Sequence, residues 1–294
     1  MCAKMDSFGS IDAVTPEEYA YGGTPDFRTD LYAAESCPEI PTHKEYITLI
    51  NGFERYFTPE LKAPSVEMPY EGNYTQEAYA QQMIDEYVEA GIPPEKVWPQ
   101  SFNPDDVIYW IQNTDYGSQA VALDENVYDN TTMIDDWLDY LVVNDVKIVA
   151  PPMQMLVDAA PGTDNLIQAS YYAKAAKERG LDIITWTLER SGPGLSGYYW
   201  ETTDGIVNLT EGDRFTMLDV LHQEVGILGI FSDWPATVTF YANCMGVAIR
   251  GSSDGNGDES DGNGDAGDTG SFAMSYALGH TLFFVIATVV SVVV

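Results

Sequence analysis

Six times between residues 45 and 246 a short apolar run is followed by a helix-patterned segment, and this alternation constrains the fold more than any other feature of the chain. The runs are Arg55 to Leu61, Val97 to Ser101, Gln119 to Leu123, Lys147 to Ala150, Asp182 to Thr187 and Gly226 to Ser232. Each has the length of a strand buried on both faces. The segment TQEAYAQQMIDEYVEAG starts on Thr75 as a cap and stops at Gly91, with Tyr79, Met83, Ile84 and Tyr87 on one helical face. NPDDVIYWIQN, MIDDWLDYLVVND, SYYAKAAKERG and TMLDVLHQEVG repeat the type. Strand-then-helix units in series predict an α/β fold with a parallel sheet and right-handed crossovers. A TIM-barrel-like (β/α)8 barrel leads and a doubly wound sheet is second. No GxGxxG joins a run directly to a helix-patterned segment, since the GPGLSG of Gly192 to Gly197 stands four residues beyond the run Asp182 to Thr187 and leads into YYW, and no GxxxxGK[ST] occurs, which counts against the nucleotide-binding version.

Six units span about 200 residues, so the usual eight in ~250 would need two more before residue 45. Residues 1–44 form a loop-rich segment with GG, TP, CP and IP signals and supply neither. The expectation is therefore an incomplete barrel over 45–250, of about six βα units, with its N-terminal strands lost and both edges open. Residues 251–270 read as an acidic Gly/Asp/Asn linker and 271–294 as a hydrophobic C-terminal anchor signal. In the linker the repeated SDGNGD cannot bury enough surface to order itself. It departs from a calcium loop, holding Glu259 and Asp265 where such a loop needs Gly and Glu.

The apolar stretch Leu282 to Val294 has 13 residues, fewer than the ~20 of a spanning helix, and nothing charged follows it. Preceded by the small residues Gly267, Asp268, Gly270 and Ser271, it reads as a glycolipid-anchor signal, with a tail-anchored helix as the alternative. The expected location is the cell surface or the extracellular space, with the membrane as partner through the C-terminus. MCAKMDSFGSIDAVTPEEY carries no export signal. Three sequons, at Asn73, Asn130 and Asn208, fit a secreted glycoprotein. Cys2, Cys37 and Cys244 allow at most one disulfide and make no zinc-type spacing.

With 13 basic against 46 acidic residues the net charge is −33, which excludes the basic surface that nucleic acid requires. A phosphate-bearing substrate would need a local cation or a metal. The stretch YFTPELKAPS holds such a cation: in a strand Glu60 and Lys62 face one way and Leu61 the other.

The ordered series "TPELKAP", "VWPQSFNPDDV", "DIITWTLERSGP" and "GILGIFSDWPATVTFYANC" resembles the glycerophosphodiester phosphodiesterase family, its exported members above all, from about Lys4 to Gly246. The resemblance implies a (β/α)8 barrel that hydrolyses glycerophosphodiesters to glycerol 3-phosphate and an alcohol with a divalent metal, calcium or magnesium. It implies that Glu60 ligates the metal, that Lys62 faces the substrate phosphate, and that Trp186 lines the pocket near the glycerol. Gln100, Ser101 and Phe102 match a strand end, with Ser101 and Phe102 as structural residues. Glu189 and Arg190 would shape the rim, and Asp233 reads as a helix cap as readily as a chemical group. The family's H-R-G and H-D motifs do not occur in the sequence and no E-x-D stands at the end of any of the six runs, so it offers no catalytic acid–base residue. His43 falls at a helix start, His222 within a helix and His280 in the tail. The alternative reading is a non-catalytic, membrane-anchored cell-surface glycoprotein built on a truncated barrel.

Overall fold

The computed structural model describes residues 41–161, 167–188, 201–202, 205–206, 212–247 and 284–287. The linker, all but four residues of the hydrophobic segment, Cys2, Cys37, Glu189, Arg190, Asn208 and His280 lie outside the described residues.

The elements are α1 (His43–Gly52), α2 (Gln76–Glu89), β1 (Gln100–Ser101), α3 (Pro104–Asn113), β2 (Val121–Leu123), α4 (Thr131–Val143), β3 (Ile148–Ala150), β4 (Val157–Ala159), β5 (Ile167–Ala169), α5 (Tyr171–Glu178), β6 (Asp182–Thr185), β7 (Glu201–Thr202), β8 (Gly205–Ile206), α6 (Asp213–Val220), β9 (Gly229–Ser232), α7 (Pro235–Met245) and β10 (Phe284–Ala287). One parallel sheet runs in the order β1-β2-β3-β6-β9-β10. Ahead of β1, Phe57 and Glu60 pair with Val97 and Gln100 through parallel bridges. The order rises without reversal, so the sheet lacks the switch point that defines a doubly wound fold and winds in the barrel sense. Barrel closure is not seen among the described residues.

Local chemistry explains most boundaries. Thr42 and Glu45 form a reciprocal capping box on α1, and Thr75, Asn103, Asn130 and Ser170 accept backbone N–H groups at the starts of α2 to α5. The predicted face of α2 is buried at Tyr79, Met83, Ile84 and Tyr87. The run Arg55 to Leu61 forms two bridges rather than a continuous strand, because Pro59 has no N–H to donate to a ladder. Gln119 belongs to the 3-10 turn Asp115–Gln119, and its amide donates to the carbonyls of Pro94 and Val97. That turn presses against α3 so closely that a Cβ on Gly117 would stand 2.3 Å from the Trp110 carbonyl oxygen. The N-cap position of α7 is held by Trp234, one residue past Asp233, with no side-chain hydrogen bond. Two antiparallel pairs, β4 with β5 and β7 with β8, interrupt the simple alternation. Phe284–Ala287 runs parallel to β9, and among the described residues no helix is long and apolar enough to cross a membrane.

His43 is buried at the start of α1, with Nδ1 2.8 Å from a Glu86 carboxylate oxygen and Nε2 3.2 Å from the Tyr87 hydroxyl. Burial lowers its pKa from 6.5 and outweighs the opposing pull of Glu86. The folded value lies below the unfolded one. The stability that neutral His43 contributes is therefore intact above pH 6.5 and is lost as pH falls towards the depressed folded value. Urea midpoints measured at stepped pH should drop below pH 6.5, and His43→Gln should flatten that drop.

Candidate functional site at the strand ends

Alternation along the first run sends Phe57 and Leu61 into the core shared with the helices. Thr58, Glu60 and Lys62 take the other face. On the neighbouring strand Trp98 joins Val121, Leu123, Ile148, Ala150, Ile184 and Phe231 in a second apolar cluster, with Tyr56, Trp186 and Leu228 packed against it. Two clusters on opposite faces are what a barrel wall requires: one under the helices and one inside the curve.

The curvature is visible in one contact. β1 and β6 are separated in the sheet by β2 and β3, which in a flat sheet would hold them about 14 Å apart. Yet Phe102, just past β1, meets Trp186, just past β6, edge to face with ring centroids 5.8 Å apart at 89°. The carboxyl ends of the strands thus curl into a mouth.

Lys62 Nζ lies 2.5 Å from Glu60 Oε1, with side-chain exposures of 42% and 13%. The lysine has three donors and one is engaged here, so it can hold Glu60 and still address an anion at the opening. Trp186 is fixed from behind: its Nε1 donates to the Ala150 carbonyl at 2.8 Å, and its own carbonyl accepts the Met153 N–H at 3.0 Å. Ser101 Oγ donates to Asp106 at 2.8 Å and sits 3.4 Å from the Leu61 carbonyl, tying the Glu60–Lys62 segment to the start of α3. Burial raises the Asp106 pKa over the opposing hydrogen bonds from Gln76, Ser101 and Asn103.

At the end of β2, Asp124 is buried and accepts the hydroxyls of Tyr172 at 2.6 Å and Tyr128 at 2.7 Å, together with the Asn126 N–H at 2.9 Å and its side-chain amide at 2.8 Å. Nothing in "LDENVYDN" singled it out, because Tyr172 arrives from α5 and the partnership is long-range. Desolvation and the Asp124 charge push the Tyr128 pKa far upward, so its phenol stays a donor. Replacing Asp124 with Asn turns one acceptor into a donor facing these phenols, and should lower the unfolding free energy by about 1–2 kcal/mol in urea denaturation.

The sequence-predicted residues divide clearly. Glu60 and Lys62 pair on the segment that bridges Gln100 of β1, and Trp186 meets Phe102 just past β1, while neither His43 nor His222 is at a strand end. The residues described do not fit a divalent cation. Such an ion takes six or so oxygens, the Glu60 carboxylate is already paired with Lys62, and among the described residues no group of three or more His, Cys, Asp or Glu could hold a metal.

No family model matches the chain. An extracellular protein of Arthroderma benhamiae is 43% identical over 248 residues, covering 82% of this chain and 99% of that one. Among solved structures, a putative glycerophosphoryl diester phosphodiesterase of Silicibacter pomeroyi aligns with TM-score 0.47 and 14% identity, over 69% of this chain and 56% of that one. A glycerophosphodiester phosphodiesterase of Parabacteroides distasonis aligns with TM-score 0.46 and 13% identity, over 81% and 78%. The chain therefore spans about half the length of the Silicibacter structure.

Proposed function

The chain belongs to the family of the Arthroderma benhamiae extracellular protein, and we propose that it is an extracellular phosphoric diester hydrolase of the glycerophosphodiester phosphodiesterase type. The observation that supports this reading is the approach of Trp186 to Phe102 across two intervening strands, beside the segment on which Glu60 and Lys62 pair. In a chain of net charge −33, an anionic diester needs a placed cation, and Lys62 is that cation. The Trp186 ring offers an apolar wall against which the carbon chain of a glycerol group packs. Glu60 holds the lysine at the rim, and no reaction step is routed through a metal because the donor set described does not make a cage for one.

A second reading is a non-catalytic cell-surface protein that binds the same anion. It is favoured by the lack, in the sequence, of H-R-G and H-D, since acid–base cleavage needs a group titrating near neutrality within reach of the leaving oxygen. Incubation with glycerophosphocholine and calcium or magnesium separates the two. Release of glycerol 3-phosphate supports the hydrolase, binding without release supports the second reading, and neither outcome would remove the diester from the account.

The extracellular placement has its own check. Asn73 is exposed on the turn between Tyr70 and Tyr74, and Asn130, also exposed, caps α4 through its side-chain oxygen. Both residues are exposed, as a glycan acceptor must be. Protein secreted from a eukaryotic host should lose mass on treatment with an N-glycosidase, and Asn73→Gln should remove part of that loss.

A further inference from the structure

We propose that Gln100 and Thr58 form a hydroxyl subsite beneath the Glu60–Lys62 pair, recognising a polyol group on the ligand. Gln100 is 4% exposed and pairs across the sheet with Glu60. Its Nε2 points to the Thr58 carbonyl at 3.5 Å, which leaves Oε1 as the free end. That oxygen is buried with no partner, and so is Thr58 Oγ1. Leaving two such atoms unsatisfied costs about 1–3 kcal/mol each, so the pair is expected to meet a ligand. An amide oxygen only accepts, whereas a hydroxyl both donates and accepts. A molecule with adjacent hydroxyls fits both requirements: one O–H donates to Gln100 Oε1 and a second exchanges with Thr58 Oγ1.

Strand geometry places this subsite relative to the charge. Thr58 and Glu60 are two residues apart on one face, about 6.5–7 Å along the strand, a span that a glycerol phosphate covers. Trp98, Gln100 and Phe102 share a face by the same alternation, so Gln100 lies between the apolar interior around Trp98 and the Phe102–Trp186 wall. A diester whose phosphate meets Lys62 thus lowers its polyol end onto Gln100. The inference rests on the phosphodiester reading and deepens it.

The test compares two monoanionic diesters of the same carbon count, glyceryl methyl phosphate and propyl methyl phosphate, titrated calorimetrically into the full chain. Wild type should prefer the glyceryl compound by about tenfold or more, the loss of two hydrogen bonds. Gln100→Met, similar in volume, should erase that preference and leave propyl methyl phosphate binding unchanged, and Thr58→Val should do the same in part. Equal binding of the two diesters by wild type overturns the subsite and spares the diester reading. An unchanged preference in both variants, or an equal fall for both diesters, assigns the polar atoms to internal water or to strand alignment and also overturns it. Wild type that binds neither diester sinks both claims.

Discussion

Truncating Trp110 to alanine is expected to cost about 3–5 kcal/mol of unfolding free energy, a large part of the ~5–15 kcal/mol that a folded domain holds. The ring is fully buried between α3 and its neighbours, and its Nε1 donates to the Ala80 carbonyl in α2 at 3.0 Å. Removal leaves a cavity the size of an indole and takes from the Ala80 carbonyl the donor it has beyond its own helix. The turn containing Gly117 packs on the Trp110 backbone with no slack, so the surroundings cannot collapse into the space. Urea denaturation followed by far-UV circular dichroism checks this, and a loss under 1 kcal/mol would show that the core there is looser than the packing implies.

The second large effect is at the mouth. Lys62→Met should weaken glycerophosphodiester binding by about 10- to 150-fold, the loss of a charge-assisted hydrogen bond. It should change stability little through Lys62 itself, whose side chain is 42% exposed. Some loss is still expected, because Glu60 at 13% exposure is left without its cation. Glu60→Gln/Lys62→Met then recovers the stability and not the affinity, which separates a packing role for the pair from a ligand-binding one.

Much of this was legible in the sequence. The helices were readable because their caps are local: Thr75, Asn103 and Ser170 each bond to a backbone N–H two or three residues on. The barrel sense followed from the repetition of units. Glu60 and Lys62 could be paired because an i, i+2 relation on a strand needs no tertiary information, and 2.5 Å between them bears out that geometry. Where the reading failed, the cause was non-local. Pro59 converted a strand into two bridges, the Asp124 carboxylate found its phenol in α5, five elements along the chain, and the unpartnered Gln100 oxygen has meaning only once its burial is known. The antiparallel pairs β4–β5 and β7–β8 were not anticipated at all, since insertions on a barrel leave no periodic mark.

The account stands most directly on whether the curled strand ends bind a phosphodiester through Lys62. Phosphorus NMR of glycerophosphocholine with the full chain tests it without requiring turnover. The expected result is broadening or a shift of the phosphorus line with wild type that disappears with Lys62→Met. An unperturbed line with folded wild type, or an equal perturbation by Lys62→Met, would contradict the assignment of the mouth as a phosphodiester site.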